Sequence, residues 1–385
     1  MDKIIHLLKH HAYQNIPLNY EEAYLLGRYA LLGCRGDEKA QIQSTAILCA
    51  LHNKATYNWQ YPARSQLVHE NELPRNAAEQ IAGICAAIFE EDIGKSQFGF
   101  LEPKVQLAMD NCGMGGDLVI TANVSTIAAF IAAAGGIPIG KHGSPANADI
   151  GRHGSSDFVS LLGINTMASK ESVELSISQE NFGYTEALDT RYKLIHQQTH
   201  RFAELPHMND IIGPITNPLN PRILRRRVMG VNHLVSPRLV AEVYQILNAR
   251  KLTFMEHAVI VRGFTSRGGV DELSICGGGS RLVELRDEIV EERSLHAKDF
   301  GLQIVDDVSI SPNGISKGEF SLRILEGDIV GPPIMMVLAN AALLFYLAGE
   351  SSDFAVCYRM AEEVHKSGLA RKKVKAVRRL LPKEN

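Results

Sequence analysis

The sequence has little cysteine and no pair at the Cys-x-x-Cys spacing, since its six cysteines are scattered from 34 to 357. This scarcity argues against a disulfide framework or a zinc ribbon and is typical of a reducing compartment. Charge of neither sign dominates, because 40 Lys and Arg face 43 Asp and Glu, so nothing global directs the chain to nucleic acid or anionic lipid. The start lacks the apolar stretch of a signal peptide, and the longest apolar run, 332–349, is short for a membrane span. We therefore expect a cytoplasmic protein with no membrane segment.

What is present is an ordinary globular composition, 45% apolar and 22% charged, over 385 residues that suffice for one large or two ordinary domains. The first hundred residues predict helices. Asn19–Glu22 matches a capping box before apolar residues at helical spacing, and Asp37 can cap a second helix. The stretch 57–75 breaks this pattern and predicts a loop, after which helix resumes near Ala77 and runs to about Glu90.

Strands and helices then alternate. The first alternating segments are a strand at 105–109, a glycine-rich loop at 113–116, a helix at 123–134 and a strand at 137–139. This order is a βαβ unit, which predicts a parallel sheet with a ligand at the carboxyl ends of its strands. Further along, 258–261 predicts a buried strand, 268–272 a glycine-rich turn and 338–347 an apolar helix.

The glycine-rich loop is the strongest local signal for a bound anion. Gly113–Asp117 lets backbone N–H groups approach phosphate oxygens, and the helix that begins near Ser125 directs its positive end to the same place. Hydroxyls at Thr121, Ser125 and Thr126 add donors or a metal ligand. The alternative is a tight turn with an ordinary N-cap. Both common phosphate loops, GxxxxGK[ST] and GxGxxG, are absent, so kinase and dehydrogenase functions lose their main support.

Two further polar segments could complete such a site. Lys141 ends the second predicted strand and can neutralise a phosphate, and Gly154–Asp157 follows in the same glycine-punctuated stretch. The alternative for Lys141 is a solvated surface loop. Asp271 and Glu272 follow a buried strand and two glycines, and such adjacent carboxylates suit Mg²⁺. Their alternative is a solvated acidic turn.

These pieces together resemble one family, the anthranilate phosphoribosyltransferases of the class III nucleoside phosphorylase-like fold. The motifs that carry the resemblance are, in order, Gly113–Asp117, Asn123–Thr126, Lys141–Gly143, Gly154–Asp157, Gly213–Pro218 and Asp271–Glu272. Weaker similarities reach both ends of the chain. Because six motifs keep the family's order, the chain is identified as a member.

The resemblance implies an α/β fold with a central, mostly parallel sheet. It implies a small helical domain, 1–100 with helices from about 186–210, and a larger domain over 101–385. Members of the family bind phosphoribosyl pyrophosphate and Mg²⁺ between these domains and dimerise through the helical one. They transfer the phosphoribosyl group to an aromatic amine such as anthranilate and release pyrophosphate.

Carried over motif by motif, the resemblance also implies three sets of site residues. The donor set is Gly113, Gly115, Gly116, Asp117, Thr121, Asn123, Val124, Ser125, Thr126, Lys141, His142, Gly143 and Ser155. The acceptor set is Gly113, His142, Ser144, His200 and Arg201. The metal set is Ser125, Asp271 and Glu272. No catalytic base is expected, because a neutral aromatic amine attacks without one while metal ions and N–H groups stabilise the leaving group.

The acceptor side departs from the family's pattern. Ser144 and Pro145 replace an Asn-Arg pair, Met114 replaces a hydroxyl residue, and Thr199–His207 replaces an arginine-rich segment. Of that arginine cluster Arg201 remains near the position that meets the acceptor carboxylate, with His200 as the other candidate. Because losing buried polar partners changes discrimination by roughly several kcal/mol, we expect an altered acceptor specificity and an unchanged donor.

Two alternatives stay open. A nucleoside phosphorylase of the same fold would use phosphate and a nucleoside. A non-catalytic homologue would bind nucleic acid through the basic run 371–379 and Arg225–Arg227. Such runs are usually solvated helix faces, and a decayed enzyme would have lost the phosphate and metal residues that this chain keeps.

Overall fold

The computed structural model describes residues 4–7, 9, 18–60, 73–117, 119–146, 154–201, 207–309 and 315–383. For 52–60, 73–76, 197 and 200 it describes the backbone alone. Within these ranges the chain forms two compact units. The first takes the described parts of 1–100, 187–218 and 234–254, and the second takes those of 101–186, 219–233 and 255–385.

The helices and strands follow in chain order. The helices are α1 (Tyr20–Cys34), α2 (Glu38–Gln60), α3 (Leu73–Ala87), α4 (Val124–Ala134), α5 (Ser155–Leu161), α6 (Lys170–Glu180), α7 (Leu194–His200), α8 (Asn209–Ile215), α9 (Pro237–Ala249), α10 (Lys317–Glu326), α11 (Pro332–Ala348), α12 (Phe354–Lys366) and α13 (Leu369–Leu380). The strands are β1 (Ala108–Gly113), β2 (Ile139–Gly143), β3 (Phe182–Glu186), β4 (Leu224–Gly230), β5 (His257–Thr265), β6 (Gly268–Val270), β7 (Ser280–Arg286) and β8 (Ile289–Leu295). A π-helical turn, Ile88–Ile93, continues α3.

The described elements of the first unit are helical, and the predicted caps are present. Asn19 accepts a hydrogen bond from the N–H of Glu22 at 3.0 Å, while Glu22 accepts one from the N–H of Asn19 at 3.1 Å, so the capping box is confirmed. Asp37 caps α2 through the N–H of Ala40 at 3.0 Å. Helices α1 and α3 pack closely, because a Cβ on Gly83 would lie 2.4 Å from the carbonyl oxygen of Tyr20.

The second unit is built on one sheet with the order β3-β2-β1-β4-β5-β7-β8, and β6 pairs with β5 outside this path. Neighbours from β3 to β5 run parallel, while β6, β7 and β8 pair antiparallel. Helices α4 and α11 are buried along most of their length. The prediction of an α/β fold with a mostly parallel sheet and a helical N-terminal part is therefore confirmed.

A buried ion pair joins the two central strands. Arg227 of β4 donates to Asp110 of β1 at 2.7 Å, and both side chains are fully buried. Arg227 also donates to the Sγ of Cys112 at 3.1 Å. This pairing allows a strand to carry Asp110 and Asn111 in its interior, because a buried charge is tolerated only with a partner.

Two predicted strands are displaced along the sequence. The sequence predicts strands at 105–109 and 137–139, but β1 and β2 lie a few residues later and include the polar segments 110–111 and 141–142. The predictions were wrong at these bounds because polar residues and glycines were assigned to loops. The strand at 258–261 and the helix at 123–134 are confirmed within β5 and α4.

Two loop predictions also need correction. The predicted loop at 57–75 is helical at 57–60 and 73–75, since α2 continues to Gln60 and α3 begins at Leu73; residues 61–72 lie outside the described ranges. The predicted turn at 268–272 contains β6, because backbone pairing with β5 needs no particular side chains. Within the described ranges, none of the helices combines the length and apolar character that a bilayer span requires.

Candidate donor and metal site

The glycine-rich loop leaves β1 at Gly113 and turns through Gly115 and Gly116, whose φ angles are +78° and +76°. Glycine is favoured there because other residues rarely adopt this left-handed conformation. The N–H of Gly115 donates to Oδ2 of Asp271 at 2.6 Å, and a Cβ on Gly113 would lie 2.0 Å from that same oxygen. Glycine at 113 therefore lets the acidic side chain lie directly against the loop.

Three carboxylates gather beside this loop. One oxygen from each of Asp117, Asp271 and Glu272 lies within 4.8 Å of the others. The N–H of Asp271 donates to Asp117 at 2.6 Å, and Oγ1 of Thr121 donates to Glu272 at 3.3 Å. The N–H of Ser125 also donates to Glu272.

Burial and the closeness of the three carboxylates raise the pKa values of two of them. Burial, followed by the charge of Asp271, raises the pKa of Glu272 to about 8. Burial, followed by the charges of Asp271 and Glu272, raises the pKa of Asp117 well above its ordinary value. Hard carboxylate oxygens at such close range fit Mg²⁺, which takes oxygen ligands and relieves the repulsion among them. The sequence placed Asp271 and Glu272 in the metal set but placed Asp117 only in the donor set.

Helix α4 begins at Val124, directly after the loop and beside the acidic cluster, with Asn123 as its N-cap residue. The backbone N–H of Asn123 donates to Ser321 at 2.8 Å, and its side-chain amide donates to the carbonyl of Gly154 at 3.2 Å. The Oγ1 of Thr126 is buried and has no hydrogen-bond partner among the described residues. The first turn of α4, with the Thr126 hydroxyl, therefore lies where the sequence predicts a phosphate.

Lys141 is buried in β2, and its side chain reaches the start of α4. Its ammonium donates to the carbonyl of Asn111 at 2.5 Å and lies 3.4 Å from the Oγ of Ser125. Burial lowers the pKa of Lys141, while the charges of Asp110, Cys112 and Glu272 oppose that shift. The alternative of a solvated surface lysine is therefore excluded, and the structure brings Lys141 and Ser125 together.

The residues after Lys141 form a second polar group at the carboxyl ends of β2 and β3. His142 is buried, and its Nδ1 lies 3.0 Å from Oγ1 of Thr185, which fixes the ring. A Cβ on Gly143 would lie 1.9 Å from the Oγ of Ser155. That Oγ lies 3.4 Å from the carbonyl oxygen of Ser144.

Asp157 holds the backbone on both sides of this polar group. Its carboxylate accepts hydrogen bonds from the N–H groups of Ala146 and Gly154, at 2.9 and 2.8 Å. Ala146 and Gly154 are thereby held at one carboxylate, and Ser144 lies next to Ser155.

The predicted acceptor set is divided between the two units. Gly113, His142 and Ser144 belong to the second unit with the donor and metal sets, whereas Arg201 and His200 belong to the first. Arg201 is exposed and caps the C-terminal end of α7, with its N–H bonded to the carbonyl of Gln198 at 3.3 Å. The His200 side chain lies outside what the structure describes. The roles of all these residues stay predictions.

Sequence reasoning missed several residues that hold the site in place. Asn111 donates to the carbonyl of Ser125 at 2.7 Å, and Asn232 donates to the carbonyl of Gly115 at 3.1 Å. Asn340 holds Leu273, next to the acidic pair, by two backbone hydrogen bonds at 2.9 and 3.0 Å. A polar residue inside an apolar run, as at Asn340, was a usable signal. Ser321 gave none, because it lies 198 residues from Asn123.

The chain is similar in sequence to known proteins. The family model described as "Glycosyl transferase family, a/b domain" matches residues 105–371. The anthranilate phosphoribosyltransferase of Nitrosomonas europaea is 30% identical over 276 residues, covering 71% of this chain and 76% of that protein. The enzyme of the same name from Polynucleobacter necessarius is 34% identical over 268 residues, covering 69% and 74%.

Solved structures have the same fold. The anthranilate phosphoribosyltransferase of Thermus thermophilus superposes with a TM-score of 0.73 at 25% identity, covering 99% of each chain. The Saccharomyces cerevisiae enzyme, in complex with PRPP and Mg, gives a TM-score of 0.68 at 18% identity, covering 99% of this chain and 98% of that one. With the glycine loop, the acidic cluster and the sequence relatives taken together, the chain belongs to the anthranilate phosphoribosyltransferase family and is a glycosyltransferase of the pentosyltransferase class.

Proposed function

We propose that the protein transfers the phosphoribosyl group of phosphoribosyl pyrophosphate to the nitrogen of an aromatic amine and releases pyrophosphate, with Mg²⁺ as cofactor. The observation that carries this proposal is the bond between Gly115 and Asp271, which joins the glycine loop to the acidic cluster. A loop suited to phosphate and a cluster suited to Mg²⁺ are thereby adjacent, as a metal-bound pyrophosphate requires.

Several residues of the donor set would together stabilise the negative charge of the leaving pyrophosphate. N–H groups of the glycine loop and of the first turn of α4 would donate to its oxygens, while Lys141 supplies a buried positive charge. Ser125, Asp271 and Glu272, joined by Asp117, would hold Mg²⁺, which when bound neutralises the developing negative charge. As the bond between carbon 1 of the ribose and the pyrophosphate oxygen breaks, the lone pair of the neutral amine forms the new C–N bond. The proton that the amine then loses passes to pyrophosphate or water, so no strong base is needed.

The acceptor would lie toward the polar group of His142 and Ser144. Thr185 fixes the His142 ring, which can then orient an aromatic amine. Arg201 is exposed at the end of α7, so its guanidinium can meet an acidic group. Ser144 and Pro145 in place of the family's Asn-Arg favour an acceptor other than anthranilate.

Three further assignments belong to this proposal. The predicted helical domain, 1–100 with helices from about 186–210, would extend to the first compact unit, which adds 211–218 and 234–254, and the rest of 101–385 would form the α/β domain. Two molecules would pair through the helical domain, because Leu32 and Ile42 are 52% and 66% exposed on its helices. A cytoplasmic location accords with six free cysteines.

Binding of nucleic acid is disfavoured by internal contacts of the basic segments. Arg225 pairs with Glu256, Arg227 is buried against Asp110, and Lys373 of the basic α13 pairs with Glu180 at 2.8 Å. These cations are partly neutralised within the second unit, so fewer remain to release counterions from a nucleic acid.

The decisive experiment follows pyrophosphate release. The protein is incubated with phosphoribosyl pyrophosphate, Mg²⁺ and a panel of aromatic amines that includes anthranilate. We expect release that needs both Mg²⁺ and one of the amines. Phosphorolysis of nucleosides without such release would instead identify a nucleoside phosphorylase, and salt-dependent binding of RNA or DNA without either reaction would identify the non-catalytic alternative.

A further inference from the structure

Two arginines face each other across neighbouring strands of the sheet. Arg262 of β5 pairs directly with Arg281 of β7 in the antiparallel register. Like charges in directly opposite positions are unfavourable in a sheet. Arg281 is neutralised by an ion pair with Glu292 of β8, so Arg262 carries the uncompensated charge.

Arg262 is only half-buried, yet part of its guanidinium is desolvated without compensation. Its Nε is buried and has no hydrogen-bond partner among the described residues, and it forms no ion pair within them. Its Nη1 donates to the carbonyl of His233 at 3.1 Å, and the guanidinium lies 5.6 Å from the centre of the Phe264 ring. Burial, followed by the charge of Arg281, lowers the pKa of Arg262.

The unpartnered Nε alone does not set Arg262 apart, because the Nε atoms of Arg225, Arg226 and Arg227 also lack a partner among the described residues. The distinguishing feature is the like charge of Arg281 directly opposite, whereas the fully buried Arg227 is paired with Asp110. A half-buried guanidinium with spare donors beside a second arginine is instead a site prepared for an anion.

The surroundings of Arg262 connect it to the donor site. His233, whose carbonyl it binds, follows Asn232, and Asn232 holds the glycine loop through the carbonyl of Gly115. Gly263 faces the opposite side of the strand, where a Cβ on it would lie 2.3 Å from the carbonyl oxygen of Glu272. The backbone of β5 therefore borders the segment that carries the acidic cluster, while the Arg262 side chain lies beside the segment that holds the glycine loop.

The sheet order favours the donor over the acceptor as the source of the anion. His142, at the predicted acceptor side, lies on β2, and β2 is separated from β5 by β1 and β4. Three strand spacings amount to roughly 14 Å. The loop and the acidic cluster, by contrast, follow β1 and β6, and β6 is paired with β5 itself.

We propose that Arg262 binds a phosphate group of the donor, with Arg281 and Phe264 shaping its surroundings. This inference rests on the proposed function. The donor has phosphate at two ends, the 5-phosphate and the pyrophosphate, and both present the oxygens that a guanidinium binds through two parallel hydrogen bonds.

The test compares Arg262→Gln with the matched control Arg267→Gln. Arg267 is exposed, is paired with Asp307 at 3.0 Å and lies in the turn that follows Arg262. Affinities for phosphoribosyl pyrophosphate with Mg²⁺, pyrophosphate with Mg²⁺, and ribose 5-phosphate are measured by calorimetry, and unfolding temperatures are measured alongside.

We expect Arg262→Gln to bind phosphoribosyl pyrophosphate about tenfold or more weakly, because a charge-assisted hydrogen bond is lost. Its unfolding temperature should stay equal or rise, because an unpaired charge beside Arg281 is removed. Affinity should also fall for one of the two smaller ligands, pyrophosphate or ribose 5-phosphate. The ligand that is affected identifies the end of the donor that Arg262 binds. Arg267→Gln should match the wild type.

Unchanged affinity for all three ligands would overturn the inference, whatever the unfolding temperature of the variant. If Arg262→Gln does not fold, Arg262→Lys is measured instead. Lysine keeps the charge but cannot donate two parallel hydrogen bonds from one planar group, so full affinity for phosphoribosyl pyrophosphate in this variant would also contradict the inference. Binding of inorganic phosphate distinguishes a failure of this inference from a failure of the proposed function. If the wild type binds no phosphoribosyl pyrophosphate but binds inorganic phosphate in an Arg262-dependent way, the proposed function fails and the anion site stands.

Discussion

Asp92 is a buried carboxylate at the start of a helix. It accepts hydrogen bonds from the N–H groups of Leu194 and Ile195, at 3.2 and 3.3 Å, in the first turn of α7. Burial raises its pKa from the ordinary value of 3.8 to about 6, although these bonds and the charges of Lys193 and Arg35 oppose the shift. The native protein therefore holds this proton more tightly than the unfolded chain does.

This shift predicts a pH-dependent gain in stability for Asp92→Asn. Because the folded pKa is raised, the group's contribution to stability is fully present below pH 3.8 and is lost as the pH rises through 6. We expect the free energy of unfolding of Asp92→Asn to exceed that of the wild type by up to about 3 kcal/mol at pH 8. At pH 4.5 the excess should fall to about 1 kcal/mol. Urea denaturation at both pH values measures it, and an equal gain at both would contradict the assigned cause.

At the scale of single residues, the sequence predicts local contacts well and distant contacts poorly. The bonds between Asn19 and Glu22 were predictable because both partners lie within one helical turn. The bond between Asn123 and Ser321 was not, since 198 residues separate the partners and no local pattern requires it. Arg262 was equally hidden, because only the strand register places it opposite Arg281.

At the scale of elements, Lys193 joins the start of α7 to α8. Its buried ammonium donates to the carbonyls of Gly213 and Thr216, at 2.9 and 3.0 Å. We expect Lys193→Met to lower the free energy of unfolding by roughly 2–4 kcal/mol, because two buried carbonyls lose their donor. The control Lys95→Met removes an exposed ion pair with Glu91 and should cost less than about 1 kcal/mol. Similar losses for the two variants in urea denaturation would show that Lys193 is not a structural link.

The acidic pair at the end of β6 supplies a second prediction at this scale. Changing Asp271 and Glu272 together to Asn and Gln should weaken phosphoribosyl pyrophosphate binding at least about tenfold in the presence of Mg²⁺, because hard anionic ligands are lost. The matched control is Asp287→Asn with Glu288→Gln, an identical dipeptide exposed in the turn between β7 and β8. Calorimetry that finds equal donor affinity in wild type and site variant would contradict the metal assignment.

Strand positions show why element bounds were harder to predict than element types. Asp110 and Lys141 lie inside β1 and β2, where a sequence pattern treats charged residues as loop. Arg227 neutralises the first, and the carbonyl of Asn111 accepts a hydrogen bond from the second. Such compensation comes from neighbouring strands, so only the assembled sheet shows that a charged residue can occupy its interior.

At the scale of the whole molecule, the order of six motifs was enough to predict the fold class and the family. That order constrains the topology, because glycine-containing segments follow strands whose carboxyl ends border the site. The motifs could not predict which residues of the 199–207 segment face a ligand, because that segment departs from the family and has no local pattern.

The acceptor prediction concerns Arg201. Arg201 is exposed at the end of α7 in the first unit, whereas the donor residues belong to the second, so the two should be separable by mutation. Arg201→Ala should raise the KM for the acceptor about tenfold or more and leave the affinity for phosphoribosyl pyrophosphate unchanged. The matched control is Arg191→Ala. The Arg191 guanidinium is already paired with Asp189 at 2.5 Å, so this variant should leave the acceptor KM unchanged.

The same reasoning predicts that anthranilate is a poor substrate or none. Ser144 and Pro145 remove polar partners that the family places after Lys-His-Gly, and a single arginine remains of its cluster. Each lost charge-assisted hydrogen bond is worth about 1.5–3 kcal/mol, which corresponds to tenfold or more in affinity. Steady-state kinetics with anthranilate, compared with the other amines of the panel, measure this directly. Turnover of anthranilate with a micromolar KM would contradict the altered specificity and would leave the departures at 144–145 and 199–207 without consequence for the acceptor.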